Sequence, residues 1–378
     1  MVHTRRVLAG GDAAAGVCFF LLVGAALLGT CASCGGRHHT VAGPETGGLW
    51  LGSSAAKRDR LVVVWEAPRG KIVACELQDA RDSVVHQSSH VITAVSGPDI
   101  QGRVAFIEAE TASYSLKTVT LEGREETTVF ERQGSATWPT DGVLKVGRHL
   151  AISPRDGKVA ILKDLHRRQM PGALLGAGSI EIWDLATKTS VDAGVTSMDE
   201  TLSWLADNRT VIYSSLTMRS SLPDRAVGFG LFGGYVSSWS AVPAIYALDT
   251  ATGRSTFLSV GWQAVAGARG KSVMVGGWVA EGDRRWIVVD LATGREQPMA
   301  GLPGDWLGPI AEVDEGLVLF VGLPTAGREV RFADNHSPLR NAPQMMSIKV
   351  VDLTTGAFET MVPYIDPRIS ISVGRIPR

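Results

Sequence analysis

The 378-residue chain carries 37 Lys and Arg against 38 Asp and Glu, a formal net charge of −1, with 43 glycines and 45% hydrophobic residues. A near-neutral chain offers no basic footprint for a phosphate backbone, which excludes nucleic-acid binding and recruitment to an anionic membrane by long-range charge. Of the four cysteines, Cys18, Cys31 and Cys34 lie near the start and Cys75 stands alone in the body, so no disulfide closes within the body and its core must hold it together.

Arg5 and Arg6 precede an apolar stretch over residues 13–30, followed by small residues. That order of basic, apolar and small segments reads as an export signal. Residues 27–34 resemble a lipoprotein signal, in which a cysteine after small residues is acylated; Cys34 and Cys31 are the lipidation candidates. Thr30 just before Cys31, and Cys31 three positions before Cys34, depart from that pattern. Residues 4–8 also resemble a twin-arginine signal, and about 18 apolar residues equally suit an uncleaved anchor. Each alternative exports the body and confines membrane contact to the N-terminus. Residues 1–34 are therefore read as export signal or membrane anchor, 35–48 as a flexible tether, and 49–378 as the folded domain. His38 and His39, adjacent on a tether, supply no preorganised metal geometry.

The domain repeats. Residues 61–75 read as a single hairpin, and residues 91–107 with 114–123 as a pair of hairpins. Four stronger copies follow, each a strand, a tight turn and a strand: residues 150–162, 202–213, 264–275 and 310–320. After each comes an apolar strand ending in Asp, then x-x-Thr-Gly and another short strand. The turn positions are Asp184, Asp249, Asp290 and Asp352, with Gly253, Gly294 and Gly356 closing the last three and Lys188 standing in the first. Asp and Thr hydrogen-bond free backbone groups in such a turn, and Gly accepts the positive φ that closes it. Two hairpins in succession make a four-stranded antiparallel unit, and units of about 40 to 65 residues predict an all-β propeller. The expected count is six blades, or seven if residues 48–52 begin another. A lone strand at residues 368–373 is expected to pair with the N-terminal strands and close the ring.

The turn Ser153-Pro154-Arg155-Asp156-Gly157-Lys158, followed by Trp183-Asp184-Leu185, resembles the Tol-type and tryptophan–aspartate-type propellers of bacterial envelopes. The resemblance spans about residues 50–378 and implies the fold; such motifs are turn chemistry shared by unrelated propellers, so function does not follow from them.

Spacing gives the domain an orientation. From the first turn of a blade to the Asp of its second hairpin takes about 20 residues in the second and fifth blades, but about 27, 41 and 36 in the third, fourth and sixth. The surplus lies between second and third strands, at residues 166–177, 214–242 and 323–344. In a propeller those connections share one face, opposite the Asp-Gly and Thr-Gly turns. They carry Phe229, Phe232, Tyr235 and Trp239 interleaved with glycine, Arg167 and Arg168, and Arg328, Arg331, His336 and Arg340. Such a mixed aromatic and cationic rim is expected to bind another envelope protein or peptide, with an anionic small molecule as a further option. Aromatics folded back to plug the channel are the alternative.

Reaction chemistry finds little support. No G-x-S-x-G elbow, Walker loop, H-E-x-x-H or EF-hand spacing is present, and no metal or cofactor is expected. His86 and His90 have an i, i+4 spacing, but a β pattern does not put them on one helical face. Residues 245–253 also resemble the repeat of quinone-dependent dehydrogenase propellers, without that family's packing Trp, and a hydrolase or lyase propeller with a dispersed site stays open. The preferred reading is a binding or scaffolding module, which resembles the propeller partner of outer-membrane barrel assembly.

Overall fold

The computed structural model describes residues 48–50, 52–79, 81–133, 145–146, 150–170, 173–198, 201–223, 241–267, 269–278, 284–299, 306–314, 316–322, 346–365 and 370–378. All belong to the second of the two units into which the chain divides, residues 40–378. They form a propeller of six antiparallel blades.

Helix α1 (Ser54–Arg58) leads into β1 (Asp59–Ala67), β2 (Lys71–Glu76) and β3 (Arg81–Gln87). The second blade runs outwards through β4 (Val91–Ser96), β5 (Arg103–Ala109), β6 (Ser113–Thr120) and β7 (Thr127–Gln133). After β8 (Lys145–Val146) comes the third, of β9 (Leu150–Ile152), β10 (Lys158–Met170), β11 (Ala173–Asp184) and β12 (Thr189–Met198). The fourth contains β13 (Leu202–Trp204), β14 (Thr210–Met218), β15 (Ala241–Asp249) and β16 (Arg254–Val260). The fifth contains β17 (Gln263–Ala266), β18 (Ser272–Trp278), β19 (Arg284–Asp290) and β20 (Glu296–Pro298). The sixth contains β21 (Trp306–Asp314), β22 (Leu317–Gly322), β23 (Met346–Asp352) and β24 (Phe358–Ile365).

The last strand, β25 (Ser370–Pro377), returns to the beginning of the domain. It pairs antiparallel with β1 from Asp59↔Pro377 to Trp65↔Ile371, so β25, β1, β2 and β3 form the closing blade. Closure removes the two open edges that a linear stack of sheets would present. Residues 48–52 do not start a seventh blade. Leu49 and Trp50 lie in a turn, and Trp50, 1% exposed, packs among Leu61, Val63 and Trp65 of the closing blade.

A blade in a ring is covered on both faces, and the sequence answers with continuous apolar runs instead of alternation. In β1, Val62 and Val64 pack towards Ile92, Val104 and Phe106 of the second blade. Leu61, Val63 and Trp65 pack towards Leu319, Ile348 and Val350 of the sixth. The same division recurs around the ring, so the core is six seams rather than one centre. Each fully buried Val, Leu or Ile contributes about 1.5–3 kcal/mol. Tryptophans serve the seams too: Trp65, Trp183, Trp204 and Trp286 are buried, and Trp204 donates its indole N–H to the Ala151 carbonyl of the third blade at 2.8 Å.

Candidate functional site

In each blade built from consecutive strands, the connections from first to second and from third to fourth strand emerge on one face. Those from second to third strand, and the links between blades, emerge on the other. The first face consists of tight turns that touch in sequence around the ring. Ile100 N–H donates to the Pro154 carbonyl at 2.9 Å, and Arg155 N–H donates to Asn208 Oδ1 at 2.9 Å. Gly270 lies against Ala206, Arg269 donates to Asp314 Oδ1 at 3.0 Å, and Arg375 donates to the Glu312 and Val313 carbonyls. Burial lowers the pKa of the Arg375 guanidinium, against the pull of Asp59, Asp314 and Glu312.

The Asp-x-x-Thr-Gly turns share this face, and one geometry accounts for their residues. Asp184 Oδ1 accepts the N–H groups of Ala186 and Thr187, both at 2.9 Å. Asp249 does the same for Ala251 and Thr252, and Asp352 for Thr354 and Thr355. Asp290 accepts the N–H and hydroxyl of Thr293. Lys188 adopts the left-handed φ of 55° that Gly253 takes at 69°, Gly294 at 67° and Gly356 at 72°. Asp249 is also bonded by Arg209, at 2.9 and 2.5 Å, and that side-chain bond leads the causes that hold its carboxyl down at about 2. A folded carboxyl below its unfolded range stabilises above the unfolded pKa and loses that contribution as pH falls through the folded one. Melting profiles of wild type and Asp249→Asn should therefore differ at pH 6 and converge between about pH 4 and pH 2.

The surplus chain joins strand ends that lie at the opposite face. In the third blade residues 166–177 extend a hairpin, with Arg167 opposite Gly176 and Arg168 opposite Leu175 on β10 and β11. The expected loop is thus mostly paired strand, because its residues continue the ladder beyond a bulge between Lys163 and His166. In the fourth blade β14 ends at Met218 and is followed by a 3-10 turn, Arg219–Ser221. Phe229, Phe232, Tyr235 and Trp239 lie outside the described residues, as do Arg328, Arg331, His336 and Arg340 between β22 and β23, and Cys31 and Cys34 near the start.

Sequence reading missed a polar cluster in the seam between the closing and second blades. Glu108 on β5, 4% exposed, receives Lys117 Nζ on Oε2 at 2.6 Å and the Ser88 hydroxyl on Oε1. Lys117 also meets Glu126 at 3.0 Å. His86 stands 3.4 Å from Glu126 and 4.0 Å from Glu108, and its ring lies on Phe106 with centroids 4.6 Å apart. His90 stands 3.9 Å from Glu108 and 3.6 Å from Glu110. Burial raises the Glu108 carboxyl, but the bonds from Lys117 and Ser88 outweigh it and hold the group below the usual range. The two histidines meet through a strand end and the 88–90 link, where no helical spacing rule applies. Among the described residues no three His, Cys, Asp or Glu side chains are placed to hold a metal ion.

Cys75 on β2 is a buried free thiol whose pKa burial pushes up to about 11, which favours the protonated thiol at neutral pH. No helix among the described residues is long and apolar enough to cross a membrane.

No family model matches the chain, and no curated protein matches it. Solved structures do. TolB from Acinetobacter baumannii superposes with a TM-score of 0.53 at 14% identity, over 85% of this chain and 67% of that one. A chain of a nidogen/laminin complex gives 0.49 at 11% identity, over 83% of this chain and 98% of that one. At such identities the likeness is one of fold: the chain has the architecture of a Tol-type propeller.

Proposed function

We propose that this propeller is an exported binding or scaffolding module of the bacterial envelope, tethered through its N-terminal segment. It engages another envelope protein or a peptide with the face that carries the second-to-third-strand connections. One observation carries the reading: one face is stitched shut by turn-to-turn contacts, while the longest second-to-third-strand connections, residues 219–240 and 323–345, join strand ends at the other. Long connections on a rigid scaffold are where binding residues concentrate. Phe229, Phe232, Tyr235, Trp239, Arg167, Arg168, Arg328, Arg331, His336 and Arg340 supply aromatic anchors and cations of the kind that dominate protein interfaces. The TolB likeness supports the reading through its fold.

The test places a photo-crosslinking residue in living cells at Ser220, exposed beside the 224–240 connection, and at Arg254, exposed on the stitched face. Adducts with an envelope protein are expected from position 220, are lost when residues 224–240 are replaced by a short Gly-Ser linker, and are absent from position 254. Adducts from both positions alike, or from neither, would overturn the reading.

A further inference from the structure

The link between the second and third blades differs from the others. Residues 88–90, 199–201, 261–262, 299–305 and 366–369 suffice between blades elsewhere, whereas residues 134–149 separate Gln133, at the end of β7, from Leu150, at the start of β9. Within them β8 pairs in parallel with β25, Lys145 opposite Ser370 and Val146 opposite Ile371. The closing sheet therefore has five strands where the other sheets have four. Because β25 is the innermost strand of its blade, β8 lies on its channel-side edge. That end of β25 faces the connection-bearing surface, since β25 starts there after the link from β24.

The side chains of β25 already have partners. The hydroxyls of Ser370 and Ser372 accept the N–H groups of Val95 at 2.9 Å and Gly97 at 3.2 Å from the second blade. Ile371, fully buried, packs in the seam towards the sixth blade. The strand is thus held from both sides, and its backbone edge is preorganised to receive another strand. Beyond Ile371 no described strand pairs with that edge.

We propose that the channel-side edge of β25 is a strand-addition site for an extended peptide tail of a partner, and that β8 is the intramolecular competitor for it. Strand addition draws affinity from main-chain hydrogen bonds and tolerates many sequences. The parallel register adds a direction. A strand parallel to β25 enters the channel with its C-terminal end leading, so the fitting partner is a protein with a free, extended C-terminal tail. The inference rests on the connection-bearing face being the binding face.

The probe is a fluorescent synthetic peptide copying residues 140–149, followed by anisotropy against the full chain with Cys18, Cys31 and Cys34 replaced by serine. Three forms are compared: otherwise wild type; residues 141–148 exchanged for Gly and Ser at equal length; and Val146→Cys with Ile371→Cys, oxidised to lock β8 in place. The peptide is expected to bind the Gly-Ser form at least about tenfold more tightly than wild type, since removing an internal competitor raises apparent affinity. It should not bind the locked form until that form is reduced. Equal binding to all three, or none to a Gly-Ser form that melts like wild type, would overturn the proposal. Peptide failure with the position-220 adducts intact removes this proposal alone; loss of those adducts removes the binding-face reading beneath it.

Discussion

Replacing Gly374 by alanine should open the ring. Gly374 lies on β25 opposite Val62, and a Cβ there would fall well inside contact distance of the Pro98 carbonyl oxygen and 2.6 Å from the Pro98 nitrogen. Both obstacles are backbone of the neighbouring blade and cannot rotate away. Overpacking of this kind costs about 1–3 kcal/mol when side chains yield and more when they cannot. The expected loss is at least about 3 kcal/mol, on the order of 5 °C or more in Tm. Gly253→Asn is the control. Its φ of 69° is left-handed, but open space surrounds the Cβ position, and Asn tolerates that conformation at under about 1 kcal/mol. Comparable losses in the two variants would mean that the approach to Pro98 relaxes and that Gly374 is not essential to closure.

Removing Lys117 should cost a similar amount by a different route. In Lys117→Met the Glu108 carboxylate keeps the Ser88 hydroxyl but loses the ammonium at 2.6 Å while staying 4% exposed. Breaking a buried ion pair on one side costs about 3–5 kcal/mol, because the remaining charge is left uncompensated. The double variant Lys117→Met with Glu108→Gln should recover most of that, which a loss of packing alone would not do. Denaturant unfolding of the four proteins in the cycle measures the coupling. A coupling energy near zero would place Glu108 in contact with enough water to stand alone.

What could be read in advance follows from how local the physics is. The Asp-x-x-Thr-Gly turns were legible because Asp184, Asp249, Asp290 and Asp352 bond groups two and three residues away, so the whole interaction lies within one sequence window. Which strands the surplus chain joins was legible because antiparallel order alone decides at which end of a hairpin a connection begins. Closure by a strand near residues 368–373 was legible from an unpaired apolar run. Gly374 was not, because its role is an approach to Pro98 across a seam and leaves no turn motif. β8 was not, because two residues carry no periodicity. The cluster around Glu108 joins β3, β5 and β6, whose neighbourhood exists only once two blades meet. The extended hairpin of β10 and β11 read as a loop because its glycines and arginines lack the apolar pattern of the inner ladder.

The closing blade also sets the order of folding. Every other blade is assembled from strands close together in the chain, but the bond from Val95 to Ser370 spans 275 residues and the bond from Trp50 to Glu359 spans 309. By the logarithmic cost of loop closure, bringing such ends together takes about 2 kcal/mol more than closing one hairpin of roughly 20 residues. Five blades can therefore form as a curved open arc before the closing blade exists, a high contact-order step that sets the rate of the whole transition. In hydrogen exchange the amides of β25 and β1 should be the first of the buried strands to lose protection together, since the ring reopens where it was last joined.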